Sequence, residues 1–531
     1  MFSRMKWIVL LSGVCCGALL GAPASLASQH VDEVTEVTPE PLRAPAVTLS
    51  ADDLTRDLAL RRWRAAVAPA PEAAEMPVLA PDATGTQARQ LRSWVAGGTA
   101  AGLTGVFYDN RDGGHSRLDP GRFPQMSHIV YDEGLRDQGA HRSLAHNFLF
   151  PGPVLGNASL AVTGGASARS LPRLAMTTPD APMAAAVGYL NNHLYVYPAH
   201  HDVRGGVDVL PAMLPYFAIS LGSSHSDRPV VELLAMALAS LRPETRARAE
   251  AEGLLAPTLT MLLRRSLQGV TDYLGPEAHP SAIQRNRLRP GVAMAAAQAL
   301  RPEDLPPVVL IRVLEESFGE AAGLLGRSER LFDTPAAIAR LWRDWSGRQE
   351  MVVSAAATQD PNGRALEFHW VVLSGEPGAV RITPLDPAGR RARLEIDWHS
   401  TPFTPPSGGP SRNRVEIAVI AWNGVQYSAP SFVTVAFPAH QRRVYGPDAS
   451  GVPQLLSVDY DAAAREERFD PALWWQAAWR DTAIRDDLGQ IIGWRRTEAD
   501  GASQLITPPD FGSYSLRNPS SATPTLTWSP P

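Results

Sequence analysis

Apolar and polar positions along this chain change rhythm three times. Over 86–349, short runs rich in β-branched and aromatic residues give way to longer alanine- and leucine-rich stretches. Gly105-Val106-Phe107-Tyr108 and the segments 159–163, 193–197 and 217–221 have strand composition. Segments 230–241 and 259–267 carry helical apolar spacing, and 307–318 opens on prolines as helices often do. Strands first and helices later predict an α+β, or irregular α/β, main domain.

Residues 350–438 alternate instead. Phe368, Trp370 and Val372 take every second position, as do Leu394, Ile396 and Trp398, then Val415, Ile417 and Val419. Asn423-Gly424 stands between two such runs, a strong hairpin signal, and Pro361-Asn362-Gly363 marks another turn. Short strands with regular turns predict an all-β sandwich. The tail, 439–531, is poorly patterned. Asp486-Asp487-Leu488-Gly489-Gln490 predicts one hairpin there.

The amino terminus differs from all of this. Arg4 and Lys6 precede an apolar stretch from Trp7 to Leu20, and Ser25-Leu26-Ala27 offers a cleavage site. That is the pattern of a secretory signal over 1–27, with no stable membrane span after processing. The following arm, 28–85, is rich in proline, alanine and acids and is expected to be partly disordered. One helix is expected to interrupt it, begun by a capping pattern from Ser50 to Asp53.

Composition then removes several chemistries. Cys15 and Cys16 are the only cysteines, so a chain cleaved after Ala27 has no thiol nucleophile, thiolate metal site or disulfide. Lys6 is the only lysine, which excludes Schiff-base chemistry, a serine–lysine dyad and a phosphate-loop lysine. A net charge of −5 gives no general basic field for nucleic acid.

Histidine is concentrated where chemistry is expected. His115, His128, His141, His146, His193, His200, His201 and His225 all fall between 115 and 225. Three segments there carry candidate sites. In Asp109-Asn110-Arg111-Asp112-Gly113-Gly114-His115-Ser116, Asp109, Asp112 and His115 suit acid–base work or a divalent metal ion, with Arg111 toward substrate. The plainer reading is a turn with an internal Asp–Arg pair.

In the second segment, His193, Tyr195 and Tyr197 alternate on a strand and would form a polar cleft wall for substrate. The strand leads to His200, His201 and Asp202, a cluster suited to metal or base, or to ordinary surface histidines. In the third, Gly222-Ser223-Ser224-His225-Ser226, Ser224 takes the nucleophile place of Gly-x-Ser-x-Gly, although Ser226 replaces the last glycine. Ser226 or Asp227 would otherwise cap the next helix, or free amides there would receive an anion.

Two resemblances add to this. Thr358 through Gly363, followed by Leu366-Glu367-Phe368-His369-Trp370, resembles the opening of PKD or immunoglobulin-like modules of bacterial exoproteins. That resemblance implies a spacing or weak polymer-binding role. Tyr108 through Ser116, Asn192 through Pro198 and Gly222-Ser223-Ser224 resemble a family of bacterial secreted proteins with a carboxy-terminal PKD or immunoglobulin-like domain. No activity comes with the second resemblance.

The expectation is a multidomain secreted or periplasmic protein. Its main domain would hydrolyse a polar polymer, glycan or peptide, through an Asp/His site, with the sandwich as spacer. The rival is a non-catalytic envelope or extracellular scaffold that binds polymer through the sandwich.

Overall fold

The computed structural model describes residues 45–142, 148–158, 181–199, 212–222, 225–323, 326, 328–399, 414–438, 441–449, 451, 453–460, 479–507, 513–517 and 525–529. The signal-like segment and its cleavage site, strand candidate 159–163, and His146, His200, His201, Asp202 and Ser224 lie outside these residues.

Six strands form the first sheet: β1 (Ala46–Leu49), β2 (Phe107–Arg111), β3 (Ser127–Tyr131), β4 (Val154–Ala158), β5 (His193–Ala199) and β6 (Phe217–Leu221). Their order is β1-β3-β2-β4-β5-β6 and every pairing is parallel. A wholly parallel sheet with intervening helices is α/β, so the α+β alternative is set aside. Helix α1 (Arg228–Ser240) packs against β4 and β5. Both strands are buried along their whole length.

The expected disordered arm is part of this domain from residue 45 onward. β1 pairs with β3, and Leu49, Val78 and Leu79 are buried. At Ser50 the capping contact is present, with the Ser50 N–H donating to Asp53 Oδ2 at 2.8 Å. The helical turn lasts only Ala51–Asp53, because Leu54–Asp57 is drawn into a hairpin with Arg62–Ala65. The helix expected over 307–318 is also absent; Arg312–Glu316 is a strand paired with Arg348–Ser354.

That pairing moves the start of the sandwich from 350 to Arg312. Arg312–Glu316, Arg348–Ser354, Arg391–Asp397 and Val380–Pro384 make one sheet. Arg330–Thr334, Ala337–Leu341, Ser431–Ala436, Arg414–Trp422 and Glu367–Ser374 make the other. Ile338, Trp342, Val353, Leu394, Ile417 and Val433 fill the space between them. Asn423-Gly424 turns where expected, with Gly424 at φ +88°.

The three inner strands of the second sheet are buried on both faces. Ala339, Ala418, Ile420 and Phe432 belong to the core of the α/β domain. Helix α2 (Leu255–Arg265) sets the Arg264 guanidinium 5.6 Å from the centre of the Phe432 ring. The Tyr273 hydroxyl donates to the Ser428 carbonyl at 3.0 Å, and the Met213 N–H donates to Thr434 Oγ1 at 3.2 Å. A spacer module would not share its core in this way.

The tail holds more order than its pattern suggested. Arg442–Pro447, Pro453–Tyr460, Trp479–Arg485, Ile491–Glu498 and Ser503–Ile506 form a five-stranded antiparallel sheet, which contains the expected hairpin. Among the described residues, no helix is long and apolar enough to cross a membrane.

Candidate active site

After β2 the chain crosses to β3 on one side, then returns to β4 on the other. β2 and β4 are therefore neighbours whose connections leave in opposite directions. The crevice outside the carboxyl ends of such a pair is where open parallel sheets bind ligands. The Asp112–Ser116 segment lies there.

The two faces of β2 do different work. On one, Asp109, Gly156 and Tyr195 stand in register across β2, β4 and β5. Gly156 has no side chain, so the Tyr195 ring crosses it and its hydroxyl donates to Asp109 Oδ2 at 2.7 Å. The Tyr131 hydroxyl donates to Oδ1 at 2.9 Å. Arg111 Nε lies 3.5 Å from Asp109 Oδ2, and Nη2 donates to the Ala140 carbonyl at 2.7 Å. The guanidinium also lies over the Tyr131 and Phe148 rings.

Asp109 and Arg111 have no exposed surface. Burial pushes the Asp109 pKa up, opposed by Arg111 and the two phenols. This is a closed polar cluster in the core.

That placement corrects several expected roles. Asp109 is not a loop carboxylate, and Arg111 and Tyr195 are buried with it in the core. His193 is buried, packs on Phe150, and has its pKa pushed down to about 4 by burial. Tyr197 is fully buried too. The alternation on β5 implied one open face, but an inner strand of a covered parallel sheet has none.

The other face of β2 builds the loop. The Tyr108 hydroxyl donates to Asn157 Oδ1 at 2.6 Å and accepts the Leu118 N–H at 2.7 Å. Asn157 Nδ2 donates to the Ser116 carbonyl at 3.2 Å, and Asn110 Nδ2 donates to the His115 carbonyl at 2.8 Å. Asn110 Oδ1 accepts the Gly114 N–H at 3.0 Å. Asp112 is buried and bridges through its backbone to Arg142, whereas His115 is exposed.

The loop after β6 meets the loop after β2 at Ser116. The His225 N–H donates to Ser116 Oγ at 2.8 Å. Both residues have left-handed backbones, with φ +51° at Ser116 and +74° at His225. Non-glycine residues hold that conformation only where their surroundings impose it.

Two residues further on, Asp227 occupies the N-cap of α1, but its side chain makes no capping bond. The carboxylate is fully buried, and neither oxygen meets a donor at hydrogen-bond geometry. Burial raises its pKa; its own amide, Ser116 and Asn157 are close enough to oppose that rise in part. Ser226, the other expected cap, instead meets Ser220 Oγ at 2.8 Å.

Two of the three expected loops thus converge, bringing His115, Ser116, His225 and Asp227 to one strand end. Among the described residues, no three of His, Cys, Asp and Glu form a metal-ligating cluster. Sequence reasoning missed Asn157, whose signal was a Gly-Asn pair inside an apolar run, and assigned Asp227 only to capping.

No protein-family profile matches the chain, and no curated protein is similar to it. Among solved structures, one similar chain is a nucleoside hydrolase-related hypothetical protein from Saccharophagus degradans that is associated with carbohydrate metabolism. It is 11% identical over 54% of this chain and 72% of its own, with a TM-score of 0.19. Tandem Ig repeats of Dlar are 7% identical over 38% of this chain and 98% of theirs, with a TM-score of 0.12. The Ig1-2 module of the Drosophila receptor protein tyrosine phosphatase DLAR is 9% identical over 37% of this chain and 96% of its own, again with a TM-score of 0.12. Likeness this slight says nothing about the chemistry of the chain.

Proposed function

We propose that the α/β domain is a hydrolase of a polar polymer, glycan or peptide, working at the strand ends where the loops after β2 and β6 meet. The observation that carries this is the Asp227 carboxylate, buried at the switch point of the sheet with no donor at full hydrogen-bond geometry. Leaving an acid in that state destabilises a fold, and such arrangements concentrate where catalysis uses them. A carboxyl group whose pKa is raised by burial can take a proton from an attacking water or give one to a leaving group. His115, next to Ser116 in the chain, and His225, two residues before Asp227, are exposed and would supply imidazoles for the complementary transfer.

Residues 1–27 support placing the enzyme outside the cytoplasm, secreted or periplasmic, where its polymer would be an envelope or extracellular one. A divalent metal ion remains part of the proposal through His115 and the histidine-rich segment after β5.

The test is turnover by the purified protein on panels of glycans and peptides, with and without chelator. Asp227→Asn is expected to lower kcat by about 10²–10⁴-fold, the usual contribution of a general acid or base. No turnover on any panel, or full activity in Asp227→Asn, overturns the reading.

A further inference from the structure

A second hollow lies on the β-sandwich, built from the motif that resembled a PKD opening. It is a cavity of about 360 Å³, a size suited to one small ring. Leu366 and Phe368 contribute apolar surface, and Thr358, Gln359, Arg364 and Arg390 also line it.

The acid at its edge is already satisfied. Asp360 Oδ2 accepts the Asn362 N–H at 2.8 Å and the Arg364 N–H at 3.0 Å, while Oδ1 accepts Asn423 Nδ2 at 2.7 Å. Thr358 Oγ1 accepts the Leu310 N–H at 2.9 Å. Arg364 donates to the Glu303 carbonyl through Nη1. Beneath the turn, Arg248 donates to Asn362 Oδ1 at 2.6 Å and to the Pro361 carbonyl at 2.7 Å.

What is left over is specific. Arg390 and Gln359 line the cavity with exposed side chains. Among the described residues, neither side chain has a hydrogen bond or ion pair. The cavity thus offers a planar guanidinium fork, an amide that both donates and accepts, and an apolar floor. Arg364 and Arg390 line it with one carboxylate, Asp360, so the lining residues together carry a net positive charge.

We propose that this cavity binds the carboxylate-bearing ring of an acidic sugar, a uronate, within a polysaccharide. The sugar carboxylate lies against the Arg390 fork, the match guanidinium makes best. The C–H face of the ring lies on Leu366 and Phe368, and Gln359 bonds a ring hydroxyl. A free amino acid fits less well, because the carboxylate of the lining, Asp360, is buried and already accepts three hydrogen bonds. A bare oxyanion such as sulfate would leave the apolar floor unused.

This site binds and does not react, so it stands or falls separately from the hydrolytic proposal. The experiment is titration of the full chain with glucuronate, glucose and inorganic sulfate, followed through the backbone amide resonances of 358–360, 362–368 and 390. Glucuronate is expected to shift those resonances and to bind about tenfold or more tightly than glucose, as loss of a charge-assisted hydrogen bond would cause. Arg390→Gln, which removes an exposed and unpartnered side chain, is expected to bring glucuronate down to the glucose level with the thermal transition unchanged. Equal binding of glucose and glucuronate, no binding, unchanged affinity in Arg390→Gln, or sulfate binding as tightly as glucuronate overturns the proposal.

Discussion

Replacing Gly156 by alanine perturbs the polar cluster without touching any of its polar atoms. A Cβ at this position would stand 2.3 Å from the Asp109 carbonyl oxygen and 2.7 Å from two Tyr195 ring atoms. The first neighbour is backbone of the adjacent strand, so β2 and β4 must move apart. The second is the ring that reaches Asp109, so that contact must loosen too.

Overpacking of a dense core costs roughly 1–3 kcal/mol. Weakening a hydrogen bond to a buried carboxylate costs about as much again. Urea unfolding of Gly156→Ala, followed by tryptophan fluorescence, is therefore expected to show a loss of several kcal/mol. Repeating the substitution beside Tyr195→Leu separates the two parts, since the ring is then gone and only the backbone clash remains. A loss under about 1 kcal/mol for Gly156→Ala alone would refute the claim that the Tyr195 ring reaches Asp109 across an empty position.

Other consequences follow from the same architecture. Burial holds His128 and His193 at about 4 and His279 at about 3, below the usual 6.5. The unfolded chain therefore takes up protons first, so their contribution to stability is complete above pH 6.5 and is lost as pH falls toward 4, or toward 3 for His279. Urea midpoints across pH 7 to 4 should fall, less steeply in His193→Gln; equal slopes would contradict this. Ending the chain at residue 311 should leave the α/β domain without the cover of Ala418, Ile420 and Phe432. Loss of near-ultraviolet circular dichroism would show it, and a native spectrum would mean the domains fold independently. Phe432→Ala in the full chain should cost about 3–5 kcal/mol by calorimetry. Asp227→Asn should raise the melting temperature, because it removes a buried carboxylate with no donor at full hydrogen-bond geometry; a fall would mean the charge is structurally compensated.

Local signals were the legible ones. Phe217–Leu221 is a strand over the expected residues, and Asn423-Gly424 turns a hairpin because its conformational demand is written in two adjacent residues. Ser50 and Asp53 likewise make their capping contact, but the next residues pair with a strand beginning at Arg62. That partner decides the structure and is invisible in a window around Ser50.

The site shows the same division. Alternating His193, Tyr195 and Tyr197 read as an open polar face only if one side of the sheet is bare. In the fold, Tyr195 finds Asp109 across 86 positions of sequence, and the two satisfy each other inside the core. Asp227 has the residue type and place of a cap, yet its side chain makes no cap bond. Ser116, from a loop far earlier in the chain, fixes the His225 backbone just before it.

The most direct measurement is the pH titration of the Asp227 side-chain carboxyl carbon by NMR in selectively labelled protein, assigned by its absence in Asp227→Asn. A carboxyl buried at the meeting of the two loops should titrate above the ordinary value of 3.8. A midpoint at or below 3.8 would mean that Asp227 is solvated or fully bonded, and the acid–base site would lose its principal residue.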